Sequence, residues 1–141
     1  MTDWLVLALL VTGLVTLALG AVHVILPRLY DLDTAVPLDG PPLRRLPLVG
    51  ERYATRRQDV RGIVWVSNNA ASYVLLTLGA ADLAASSWLG TPAGRLLALW
   101  ATGWWLLRAV SQLAIGHRSG DLAFCAAFVA LAGVHLAAGV A

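Results

Sequence analysis

Between Gly94 and Gly116 the chain reads GRLLALWATGWWLLRAVSQLAIG, an apolar run of membrane length with one strong cation, Arg108, well inside it. Such a run leaves few folds open. In lipid every backbone N–H and C=O needs a partner within the protein, so a spanning segment is a helix or part of a closed barrel. At about 1.5 Å of rise per residue, Arg108 lies roughly 12 Å from the Gly116 end. That is near the middle of a hydrocarbon layer about 30 Å thick. An arginine there costs at least about 2.5–3.5 kcal/mol unless something receives it. Either Arg108 marks a buried anion or substrate site, or it is bonded to neighbouring helices or snorkels to the inner surface.

The rest of the chain agrees with a membrane protein. Of its 141 residues, 59% are hydrophobic and 13% charged, and the mean hydropathy is +0.74. A soluble domain carries about twice that charge. Apolar segments at about 4–27, 62–87, 94–116 and 121–140 predict an all-α integral membrane protein, a four-helix bundle forming a single membrane domain over 1–141. The first segment is too long for a signal-peptide core, and no small-residue cleavage site follows it, so it is expected to stay as a helix. All basic residues are Arg, which points to a GC-rich bacterial genome and hence to the cytoplasmic membrane of a bacterium. The net charge of +2 and the concentration of Arg in one loop argue against a nucleic-acid partner. The one cysteine, Cys125, excludes an intramolecular disulfide and a thiolate metal cluster; it reads as a small buried hydrophobe.

Taken in order, the first segment carries Gly13, Thr16, Gly20 and His23 on one helix face, a face that lets another helix come close. His23 is either an interfacial histidine bonded to a loop or a proton carrier on a pocket rim. The stretch 28–60 is the long hydrophilic connection. Pro37, Pro41, Pro42 and Pro47 exclude a long helix in its first half, whereas 50–59 suits a short interfacial helix with Tyr53 towards lipid. The stretch is either a cytosolic loop held to anionic headgroups or a flap over a pocket opening. In the second segment Asn68, Ser72, Leu75, Gly79 and Asp82 share one face, and Asn69, Tyr73 and Thr77 form a stripe beside it. In the third, Trp104, Arg108, Ser111 and Gln112 share a face. In the fourth, Ala123, Ala126, Ala130, Gly133 and Ala137 form a small-residue seam expected to pack closely. His135 lies roughly opposite, in line with Phe124, Phe128 and Leu131.

Arginine distribution sets an orientation. Seven of the ten Arg lie between Arg28 and Arg61, so the positive-inside rule places that loop in the cytoplasm and both termini outside. Matching depths between segments then gathers His23, Asn68, Asn69, Ser72, Tyr73, Arg108, Ser111 and Gln112 in an inner-half zone. Asp82 and His135 fall together in the outer half, as a structural pair.

This pattern predicts binding of a lipophilic small molecule, with Arg108, Asn68, Asn69, Ser72, Trp104, Ser111 and Gln112 as ligand-binding residues. If the molecule is converted, the chemistry is cofactor-independent acid–base work: isomerisation, hydration, epoxide opening or cyclisation. Tyr73, His23, Glu51 and Asp59 are the candidate proton carriers. No metal or cofactor is expected. Bis-histidine haem needs two His at one depth, and His23 and His135 stand at opposite ends; a His23–His117 pair fits little better. Two alternatives remain: a non-catalytic subunit of a larger membrane complex, docking through His135 and the Phe stripe, and a small transporter that works as a homo-oligomer.

A first helix ending at Pro27, a DVR start to the second at Asp59-Val60-Arg61, and the arginine in LLRAVSQL (Leu106–Leu113) together resemble the DoxX-like small four-helix bacterial membrane proteins. The resemblance covers the four helices and not the 28–58 loop. It implies a four-helix membrane fold. The family's functions are mixed, so it implies no activity.

Overall fold

The computed structural model describes residues 3–40, 44–45 and 54–141. They form α1 (Asp3–Leu29), α2 (Leu32–Ala35), β1 (Arg44–Arg45), β2 (Ala54–Thr55), α3 (Arg57–Leu83), α4 (Ala85–Trp88), α5 (Pro92–Ile115) and α6 (Ser119–Val140). α1, α3 and α6 are long and apolar enough to cross a membrane. α5 has the length, at 24 residues, but Arg95, Arg108, Gln112 and its three tryptophans make it less apolar than those three. Packing divides the chain into two units, Met1–Thr16 with Leu78–Ala141, and Leu17–Thr77.

In the first unit α5 and α6 form an antiparallel hairpin. Its register is readable at four levels. Arg95 donates to the Ala141 carbonyl at 3.3 Å, and Gln112 Nε2 donates to Asp121 Oδ1 at 3.3 Å. Between them a Cβ on Gly139 would meet Leu99 at 2.9 Å, and the Trp105 and Phe128 rings stack at 5.5 Å. The helix starts explain the turn. Thr91 caps α5 by accepting from Gly94 N at 3.0 Å, with proline next in line. Asp121 in the first turn of α6 accepts from Arg118 N at 3.1 Å, satisfying a donor that the helix cannot. A core of Leu5, Leu9, Ala85, Ala98 and Ala138 joins α1, α4, α5 and α6, and Trp88 Nε1 ties α4 back to the Ala81 carbonyl at 2.7 Å.

The glycine stripe of α1 does what its spacing predicts. In the first unit a Cβ on Gly13 would lie 2.9 Å from the Gly79 carbonyl oxygen and 3.0 Å from Asp82 Cβ. In the second, a Cβ on Gly20 would lie 2.9 Å from the Leu76 side chain. Both contacts pair α1 with α3 in antiparallel sense. Of the two stripes expected on α3 one is buried: Asn68, Ser72, Leu75, Gly79 and Asp82 are all enclosed, whereas Asn69 and Tyr73, expected beside Asn68 and Ser72 in the polar zone, face outward with Thr77.

In the second unit, α1 runs through Pro27 to Leu29, two residues past the expected end, because a proline in the final turn removes only one ladder bond. Asp31 then takes the left-handed conformation (φ 46°), which aspartate tolerates and which ends the helix. The short interfacial helix expected over 50–59 is not the structure at its C-terminal side. Ala54–Thr55 instead pair with Arg44–Arg45 in a two-residue antiparallel ladder, and the long helix begins at Arg57, where Asp59 accepts from Arg56 N at 2.9 Å. Tyr53 lies outside the described residues.

α6 corrects the sequence reading. Beyond Asp121 in its first turn, Phe128, Leu131, Ala132, His135, Ala138 and Gly139 are its buried residues, whereas Ala123, Ala126, Ala130 and Gly133 are exposed. Four of the five seam residues thus face away from the chain, Ala137 alone packing half-buried against the core, and the His135–Phe128 face, expected to dock a partner, is internal. A helix that is apolar all round carries no amphipathic stripe to say which face turns inward. Large apolar side chains cover the outside, among them Leu7, Leu14, Val66, Leu107, Val110 and Ile115, each more than half exposed. A surface of that kind suits lipid.

Gly13→Ala forces backbone against Cβ and is expected to destabilise the protein by about 1–3 kcal/mol. Gly103→Ala meets nothing within 4 Å and is expected to be neutral or slightly stabilising. Unfolding of both variants in mild detergent measures the difference.

Candidate functional site

Three polar groupings stand out, and each lies within one unit. The first joins α1, α3 and α6. His135 and Asp82 are 1% and 0% exposed. His135 Nε2 lies 3.2 Å from both Asp82 oxygens, and its Nδ1 lies 2.8 Å from the Leu131 carbonyl. Thr12 Oγ1 is 3.2 Å from Asp82 Oδ2 and 2.9 Å from the Leu9 carbonyl. The pairing of Asp82 with His135 is the one expected from their depth. The approach of α1 at Gly13 brings Thr12 to the carboxylate, a contact that spacing within one segment does not reveal.

The second grouping surrounds Arg108 on the α5–α6 hairpin. Its guanidinium carbon lies 5.7 Å from the centre of the Phe128 ring, within range of a cation–π contact. Phe128 in turn stacks on Trp105 and tilts against Phe124 at 6.1 Å. One turn before Arg108, Trp104 stacks on Trp100 at 6.3 Å. Among the described residues Arg108 has no hydrogen-bond acceptor and no acidic partner. The indole N–H groups of Trp104 and Trp105 are likewise enclosed without an acceptor. Gln112, expected beside Arg108, is engaged instead with Asp121, which Arg118 Nε also reaches at 2.9 Å. Ser111 gives its hydroxyl hydrogen to the Leu107 carbonyl at 2.7 Å.

The third grouping, in the second unit, contains His23, Asn68 and Ser72. Ser72 Oγ donates to the Asn68 carbonyl at 2.8 Å. That uses the hydroxyl's one hydrogen, so across the 3.3 Å contact Ser72 accepts from His23 Nδ1. A serine held this way is no nucleophile, because its proton points at a backbone carbonyl and not at the histidine. The Asn68 side-chain amide is enclosed with no partner for its Nδ2. Asn69 and Tyr73 are exposed, Tyr73 at 69%. Asp59 closes the first turn of α3, and Arg61 pairs with Asp33 of α2. Glu51 lies outside the described residues. Arg108, Trp104, Ser111 and Gln112 belong to the first unit and His23, Asn68, Asn69, Ser72 and Tyr73 to the second. Among the described residues no group of three or more His, Cys, Asp or Glu is placed to hold a metal ion.

The buried pair makes a quantitative prediction. His135→Leu leaves the Asp82 carboxylate enclosed without its partner and is expected to destabilise the protein by about 3–5 kcal/mol. The double variant Asp82→Leu/His135→Leu is expected to recover much of that loss, and a double-mutant cycle in detergent reads the coupling.

No family model matches this chain, and comparison with the curated proteins and with the solved structures gave no match.

Proposed function

We propose that this is a four-span membrane protein that binds a lipophilic small molecule through an oxygen acceptor of that molecule, held by Arg108 and Trp104. One observation carries the reading: the Trp104 indole N–H is enclosed without an acceptor, and one turn on the half-buried Arg108 guanidinium meets the Phe128 ring and, among the described residues, no acceptor. A buried donor left unpaired costs about 1–3 kcal/mol, more when charged. The complementary group is therefore an acceptor: a carboxylate, a phosphate or a polarised carbonyl. Guanidinium stays charged and grips oxygen pairs. Trp104 precedes Arg108 by four residues and so stands on the same face. Phe128 and the stacked tryptophans supply an apolar wall for the rest of the molecule.

The packing of α5 supports its passage through the membrane as a fourth span. α6 is apolar enough to span, and α5 lies antiparallel along it from Arg95 at Ala141 to Gln112 at Asp121. Four spans put both termini on one side, and the arginines between Arg28 and Arg61 favour the cytoplasm for the loop. Arg108 then opens towards the inner leaflet of what the all-Arg composition suggests is a bacterial cytoplasmic membrane. Tyr73, His23, Glu51 and Asp59, the residues considered for proton transfer, all belong to the stretch Leu17–Thr77, the other unit. The proposal is one of binding at Arg108 and Trp104.

In phosphatidylcholine nanodiscs the full chain is expected to bind dodecyl phosphate or oleate, read by tryptophan fluorescence, and dodecanol far more weakly. Arg108→Gln should lower affinity for the anionic probes by about 10- to 150-fold, the loss of a charged hydrogen bond of about 1.5–3 kcal/mol, with helix content kept. Equal affinity in the variant overturns the reading. With Cys125→Ser as background, cysteines placed at Leu38 and His117 should react with an impermeant maleimide from the cytoplasmic side alone, and one at Thr91 from the outside alone.

A further inference from the structure

The contacts of His135 count its protons. The Leu131 carbonyl can only accept, so Nδ1 of His135 carries a hydrogen. Nε2 faces both Asp82 oxygens at 3.2 Å. If the ring bore no second hydrogen and the carboxylate none, lone pairs would face lone pairs in a place that water does not reach. One more proton removes the conflict: it sits on Nε2 and is donated to the carboxylate, or on the carboxyl and is donated to Nε2. Either way the pair is neutral overall, which is the inexpensive state for two titratable groups in a membrane interior.

Thr12 adds a third group. Its hydroxyl touches the carboxylate and not the ring, so the order of contacts is hydroxyl, carboxyl, imidazole. That order does not activate the hydroxyl as a nucleophile, which would need the base beside it. It does give the proton a neighbour on α1. Thr16, one turn on along the same face, is 0% exposed, and its hydroxyl has no partner among the described residues. The other buried residues around the pair, Gly13, Leu131, Ala132 and Ala138, carry nothing titratable. Asp121 stands about 20 Å away at the other end of α6, with His117 and Arg118 just before that end.

We propose that Asp82 and His135 form a membrane-buried proton-binding site that holds one proton between carboxylate and ring and exchanges it along the Thr12–Thr16 face of α1. The proposal stands apart from ligand binding at Arg108 and concerns a different ligand, the proton itself. Buried His and Asp pairs of this kind are the groups from which proton relays in membranes are built.

The test uses the full chain in micelles at pH 7, with ¹⁵N-labelled histidine and His135→Gln to assign the signals. His135 should show a hydrogen on Nδ1, together with either a second ring N–H or a protonated-carboxyl infrared band that Asp82→Asn abolishes. Asp82→Asn keeps the bridge, because its amide N–H can donate to a neutral Nε2, so the melting temperature should hold while the extra proton is lost. A bare carboxylate facing a ring protonated at Nδ1 alone, in the unaltered protein, overturns the site, and that measurement needs no variant to fold. Thr16→Val should slow solvent exchange of the pair's proton at least tenfold. Unchanged exchange overturns the path along α1.

Discussion

A carboxylate and an imidazole that no water reaches have to satisfy one another, and in the first unit that requirement fixes the register of three helices. Asp82 on α3, His135 on α6 and Thr12 on α1 meet at one level. Apolar surfaces cannot do this alone. Lipid tails are as apolar as leucine, so between helices in a bilayer the hydrophobic effect gives little preference for one sliding position over another. A directional contact between buried polar atoms gives a strong one, because each misalignment leaves an atom unpaired. Gly13 makes the contact reachable, since α1 approaches there to a distance at which a Cβ would meet the Gly79 carbonyl.

Much of this was legible. A polar residue in an apolar segment has few places to go, so the Asn68, Ser72 and Asp82 stripe was a candidate for the buried face of α3, and Gly13 and Gly20 announced the close side of α1. The depth match of Asp82 with His135 anticipated their pairing. α6 was misread for the same reason that α3 was readable. Its one polar residue in the apolar run, His135, was set against five small residues, and the small residues were given the packing role. The desolvation of one imidazole outweighs the packing gain of an alanine stripe, and the helix turned its histidine inward.

The surroundings of Arg108 were less legible. Helix periodicity places Trp104 and Arg108 on one face, as found, but also Gln112, which a short turn delivers to Asp121 instead. That contact depends on Gly116–Arg118 bending α6 back so that its first acid reaches α5, which no spacing within α5 encodes. Periodicity also yields two stripes on α3 without saying which is inside. Asn69 and Tyr73 belong to the outward one, and Asn68 and Ser72 to the inward one.

The tightness of the α5–α6 connection has a bearing on biogenesis. Only Gly116, His117 and Arg118 separate the two helices. A turn this short lets the two helices pair as soon as α6 has formed. The Phe128 ring that meets the guanidinium is thus within its reach from that point, before any more distant part of the chain arrives.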